Sequence, residues 1–164
     1  MRRLIAVFVP PARALPLAPA LMLGLALPLA SLTARPALAA HELEGRDIDA
    51  GRIVYADNCA ACHGENLEGQ DNWQQQNADG TWPAPPHDAS GHTWHHDNLL
   101  LFQTVKLGGQ GALALRGITN FTSGMPAFHE NLSDEDIWNV LAFIRSTWPE
   151  RERMIQDGRN PPHN

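Results

Sequence analysis

Cysteine is scarce in this sequence, with two among 164 residues. That excludes the disulfide framework by which many small exported domains make up for a thin core. It also leaves a structural zinc site, which normally takes four ligands from two such pairs, without half of them. No segment alternates apolar and polar residues over the length of a strand, so sheet-based folds are excluded and an all-α domain is expected. Basic residues are scarce outside the first forty positions. Residues 40–164 hold eight of them against eighteen acidic ones, a formal net charge of −10. Such a surface argues against nucleic acid as a partner; it points either to redox proteins with basic docking patches or to a charge that only maintains solubility.

Acid is missing altogether from residues 1–40, which carry Arg2, Arg3, Arg13 and Arg35 and a Leu- and Ala-rich stretch from Ala14 to Leu32. A positive start followed by an apolar stretch is the pattern of a secretory signal peptide, and Ala37-Leu38-Ala39 supplies the small alternate residues that a signal peptidase accepts. The expectation is a signal peptide over 1–39, cleaved between Ala39 and Ala40, and a periplasmic mature domain over 40–164. Retention of the leader as a membrane anchor is the alternative. Against it, Pro16, Pro19, Pro28 and Pro36 interrupt every apolar run short of the ~20 residues that a spanning helix needs, so no stable membrane insertion is expected.

The two cysteines that are present stand three positions apart in Cys59-Ala60-Ala61-Cys62-His63. CxxCH is the attachment motif of c-type haem. The two thiols add across the two vinyl groups, and the next residue leaves its imidazole beneath the iron. On a helical turn the three-residue offset brings both sulfurs to one side. A thioredoxin-like dithiol would need a βαβ context, and a disulfide across two residues would be strained and would leave His63 without a purpose. The reading is therefore one covalently attached haem c, with His63 as an axial iron ligand.

Electron transfer at haem iron favours a second strong ligand, because closing both axial positions minimises rearrangement between oxidation states. Beyond the leader there are only two methionines. Met154 lies among charges, whereas Met125 lies in Ser123-Gly124-Met125-Pro126-Ala127-Phe128, where Gly permits close approach and Pro stiffens the loop. Met125 is assigned as the second ligand, and a neutral thioether there keeps the reduction potential fairly high.

The scaffold reads as helices. Asp47 or Asp49 caps a helix reaching Asn58, with Ile48, Gly51, Tyr55 and Cys59 at helical spacing. A second runs from about Asn98 to Leu107, capped by Asp97 and stopped at Gly108-Gly109. A third follows Ser133-Asp134-Glu135-Asp136, where a hydroxyl cap and three acids suit the helix dipole. Its apolar face carries Ile137, Trp138, Val140, Leu141, Phe143 and Ile144, and Pro149 marks its end. The tail, 150–164, reads as a short helical turn followed by flexible chain.

With these residues in place, the sequence resembles class I cytochrome c over about residues 46–148. The resemblance implies the cytochrome c fold, three or more helices packed around one covalent haem, and electron transfer rather than catalysis. It implies that Gly51 and Tyr55, eight and four residues before Cys59, pack against Val140 and Phe143 of the last helix. It also implies that a proline carbonyl, of Pro85 or Pro86, accepts a hydrogen bond from His63. The Pro-, His- and Trp-rich loop over 71–96 departs from the mitochondrial pattern and resembles a subgroup of bacterial exported monohaem cytochromes.

Within that loop Trp94, with His92, His95 or His96, offers donors for the haem propionates, and the sharper alternative is a copper site built from His87, His92, His95 and His96. The expected function is that of a periplasmic one-electron carrier between redox proteins. A haem-containing electron-transfer subunit of a periplasmic or membrane-bound oxidoreductase is the alternative, and an independent haem enzyme a third.

Overall fold

The computed structural model describes residues 42–160; the expected signal peptide, its cleavage site and residues 161–164 of the tail lie outside the described residues. Among the described residues the secondary structure is helical: α1 (Ile48–Asn58), α2 (Ala60–His63), α3 (Asn98–Leu115), α4 (Asp134–Ser146) and α5 (Glu150–Asp157), with a 3₁₀ turn at Thr93–His95. The sole β feature among them is one isolated parallel bridge between Thr81 and Thr122. The all-α expectation holds.

Helix α1 starts where its sequence says it should. The Asp47 carboxylate accepts from Ala50 N at 2.9 Å, satisfying one of the backbone donors that open a helix. Helix α4 begins with a reciprocal cap: Asp136 N donates to Ser133 Oγ and Ser133 N donates to the Asp136 carboxylate. The Ser133 hydroxyl also donates to that carboxylate at 2.7 Å, and this bond, followed by the one from Ser133 N, favours the ionised Asp136 and lowers its pKa.

The two helices cross at Gly51. A Cβ there would collide with the Asn139 carbonyl oxygen, lie 2.6 Å from its carbon and lie 3.0 Å from Phe143 Cβ. Glycine costs ~1 kcal/mol relative to alanine inside a helix, and here it allows the backbones to touch. Asn139 adds a bond across the crossing, accepting from Asp47 N at 3.2 Å. One turn further along α1, Tyr55 is buried with Val140, Ile144, Trp148 and Leu67, and its ring meets Phe143 at 5.6 Å between centroids. Phe143 thus plays the expected part. The partner of Gly51 is the backbone of Asn139, and Val140 packs against Tyr55. A second apolar cluster of Leu43, Leu101, Leu132, Ile137, Leu141 and Ala142 joins α3 to the other side of α4. Each leucine or isoleucine among them contributes about 1.5–3 kcal/mol on burial.

Helix α3 is longer than expected. Helical geometry breaks at Gly108 (φ 73°, ψ 162°) and resumes as far as Leu115, because Gln110 and Ala112 to Leu115 are good helix formers once the kink is past. The tail also differs from its reading as a turn and flexible chain. Helix α5 is docked, with Gln156 fully buried. Gln156 Nε2 donates to Asn98 Oδ1, its Oε1 accepts from Arg145 Nε at 3.2 Å, and Asn160 Oδ1 accepts from Asn98 N at 2.8 Å. Polar side chains, rather than an apolar stripe, fasten this helix.

Two substitutions test this frame. Gly51→Ala is expected to destabilise the protein by about 2 kcal/mol, since the overpacking at Asn139 outweighs the gain in helix propensity. Gln156→Ala removes the donor to Asn98 and the acceptor for Arg145, at an expected cost of about 1–2 kcal/mol. Denaturant midpoints of the two variants against the parent protein measure both.

Candidate haem site

Cys59 closes α1 and opens α2, so the attachment motif is one tight turn on the end of a helix that the α1–α4 crossing holds in place. Cys62 N and His63 N both donate to Cys59 O, at 3.1 and 2.9 Å. Cys59 is partly buried and Cys62 exposed, and neither forms a disulfide. Burial, and then the neighbouring Cys62, push the Cys59 thiol up to about 11. A reactive dithiol requires the opposite shift, which counts against the thioredoxin-like reading.

The His63 ring is buried. Its Nδ1 lies 2.9 Å from Pro85 O. A carbonyl only accepts, so Nδ1 carries the proton and Nε2 keeps its lone pair. Burial lowers the pKa of His63, opposed by the bond to Pro85, and this keeps the imidazole neutral, the form that binds a metal. Of the two prolines considered for this bond the structure selects Pro85. The carbonyl of Pro86 instead lies 3.4 Å from Thr93 Oγ1.

Glycines admit the prolines. Gly69 sits at φ 73°, and a Cβ on it would strike Pro86 N and lie 2.7 Å from Pro85 C. Gly91 makes the equivalent approach to the carbonyl of Pro86. Gly69 N also donates to His63 O at 2.8 Å, and His87 N to Leu67 O at 2.8 Å, so the chain after the motif and the returning loop are stitched together.

Met125 is held from the other side of the sequence. Gly109 N donates to Met125 O at 3.1 Å, and Met125 N donates to Ser123 Oγ at 3.2 Å. A Cβ on Gly108 would lie 2.9 Å from Met125 O and from Ala127 N. Gly108-Gly109, expected only to stop a helix, therefore docks the methionine loop on α3. The sequence signal was the glycine pair itself, which also fits close backbone approach. Met125 is partly exposed, while Met154 on α5 is 66% exposed.

The remaining loop residues are dispersed. Trp94 Nε1 donates to Ala89 O at 3.3 Å. Its ring lies against that of His95 at 3.7 Å. His92 stacks on Trp73 at 5.4 Å and meets His96 edge-on at 5.3 Å. His87 faces another way, stacked on His63 at 4.0 Å. No group of three or more His, Cys, Asp or Glu side chains among the described residues is placed to hold a metal ion. The four rings proposed for a copper site pair instead with aromatic neighbours: His87 with His63, His92 with Trp73 and His96, and His95 with Trp94.

Comparison with known proteins agrees with this site. The family model described as Cytochrome c matches residues 48–148. The chain is 29% identical over 109 residues, 63% of its length, to the Cbb3-type cytochrome c oxidase subunit CcoP of Azospirillum sp. (strain B510), of which that segment covers 31%. It is 31% identical over 96 residues, 58% of its length, to the same subunit of Azospirillum brasilense, of which 27% is covered. The chain thus spans about a third or less of the length of these curated relatives. No solved structure matches it significantly. A two-cysteine turn with a neutral histidine beside it is a donor set that fits c-type haem, and with the match over residues 48–148 it follows that the chain belongs to the cytochrome c family, whose members bind that haem covalently.

Proposed function

We propose that this haem electron-transfer protein is a one-electron carrier of the periplasm, in which Cys59 and Cys62 hold the haem and His63 and Met125 occupy the two axial positions of the iron. The observation that carries the reading is the bond from His63 Nδ1 to Pro85 O at 2.9 Å. It leaves Nε2 with a lone pair at the end of the attachment turn, and it is the kind of outer partner that fixes a ligand's tautomer and orientation. The haem supplies the electron-storing iron. The protein supplies a ligand pair that stays bound in both oxidation states, so little has to move when an electron arrives or leaves.

Met125 is favoured over Met154 because its loop is docked on Gly108 and Gly109, whereas Met154 projects from α5. The formal charge of −10 over residues 40–164 favours redox partners with basic surfaces and an encounter rate that falls with added salt. Export of the chain, with cleavage between Ala39 and Ala40, belongs to the same reading. No helix among the described residues is long and apolar enough to cross a membrane.

A second reading is favoured by the two relatives: electron transfer as a haem-bearing part of a larger oxidoreductase, as their name, cytochrome c oxidase subunit, says of them. Isolation of the native protein separates the two readings. A freely migrating single chain supports the carrier, and stable copurification with an oxidase supports the subunit.

Axial ligation is tested by the ferric spectrum. The parent protein and Met154→Ala are expected to be low-spin with a sulfur-to-iron charge-transfer band. Met125→Ala is expected to lose that band. A band that survives Met125→Ala removes Met125 from the site.

A further inference from the structure

Neither the haem attachment nor the axial ligation uses any of the four histidines of the His-rich loop, and His87 is the most firmly held of them. Its N donates to Leu67 O at 2.8 Å and its O accepts from Trp148 Nε1 at 2.7 Å, so the backbone is pinned on both sides, once to the chain after the motif and once to the end of α4. Its side chain is anchored as well, with Nδ1 2.9 Å from Thr93 Oγ1. Thr93 is buried, and its hydroxyl donates to Pro86 O. That hydroxyl therefore accepts from His87, and the proton of His87 sits on Nδ1.

The ring so fixed lies flat against His63, with centroids 4.0 Å apart and planes 21° from parallel. Tyr55 meets the same ring edge-on, at 6.3 Å between centroids and 72°. Both imidazoles are tied to the Pro85-Pro86 pair, His63 directly and His87 through Thr93. A hydrogen bond at Nδ1 fixes one point of the His63 ring, whereas a flat neighbour against its face fixes the plane.

We propose that His87 is a positioning residue for His63, a flat aromatic plate that sets the plane of the axial imidazole. The proposal rests on His63 being an iron ligand. The plane of an axial imidazole decides how its π orbitals overlap the iron dπ pair, and so sets the splitting of that pair, the unpaired spin density on each side of the porphyrin and part of the reduction potential. A loosely held ring averages over orientations and adds rearrangement to each electron transfer; a clamped one does not.

The test uses the haem-loaded full-length protein and three variants: His87→Leu, which removes the plate; His87→Phe, which keeps a flat ring without the anchor; and Thr93→Val, which frees the anchor. The ferric proton NMR spectrum reports the ligand plane through the spread of the four haem methyl resonances, and the reduction potential is measured in parallel. His87→Leu is expected to change the methyl spread and shift the potential while the low-spin histidine–methionine spectrum persists. His87→Phe, which keeps the flat ring but loses the anchor to Thr93, is expected to return only part of the way to the parent pattern.

A parent-like spread and potential in His87→Leu overturn the proposal, and so does a His87→Phe protein displaced as far as His87→Leu. If His87→Leu fails to assemble with haem, Thr93→Val decides: a changed spread supports the plate and an unchanged one refutes it. A parent protein that lacks the histidine–methionine signature defeats the ligand assignment itself, which keeps that failure separate from failure of the plate.

Discussion

The close crossing of α1 and α4 at Gly51 is the constraint on which the rest of this structure depends. Because residue 51 has no side chain, the Asn139 backbone reaches α1 where a Cβ would otherwise stand, and Tyr55 drops into the apolar cluster with Val140, Ile144 and Trp148. That contact fixes the axis and the end of α1. The end of α1 is Cys59, so a packing contact two turns away determines where the attachment turn lies. Tyr55 serves the site twice, since its hydroxyl also donates to Gly64 O at 2.8 Å immediately after His63.

From that fixed turn the loop is folded back by backbone complementarity rather than by apolar burial. Gly69 and Gly91 let Pro85 and Pro86 approach, Pro85 O accepts a hydrogen bond from His63 Nδ1, and Trp148 at the end of α4 donates to His87 O. The same helix that backs α1 thus also holds the loop in front of it. Haem attachment, the tautomer of His63 and the placement of His87 are consequences of one arrangement, and each would be disturbed by a shift of α4.

The sequence disclosed those parts whose physics is local. The Asp47 and Ser133 caps, the two-cysteine turn and the apolar face of α4 are each written in consecutive or helically spaced residues, and they were legible. The parts that depend on polar side chains meeting across the chain were not. Helix α5 reads as flexible tail because its buried face is Glu152 and Gln156, and the partners of Gln156 lie on other helices, Asn98 at the start of α3 and Arg145 on α4. Gly108-Gly109 looked like a helix stop because its second use, docking the Met125 loop, needs a segment more than a dozen residues on. The four loop histidines invited a metal by their density, yet their rings found Trp73, Trp94, His63 and one another.

Everything proposed for this protein, carrier or oxidase part, follows from haem held by both cysteines of one turn. Trypsin releases that turn in a peptide running from Ile53 to Lys106, and mass spectrometry of this peptide from the native protein, after treatment with a thiol-alkylating reagent, reads the attachment directly. The account predicts a peptide heavier by one haem, with neither Cys59 nor Cys62 alkylated. A peptide of unmodified backbone mass plus two alkyl groups would contradict it.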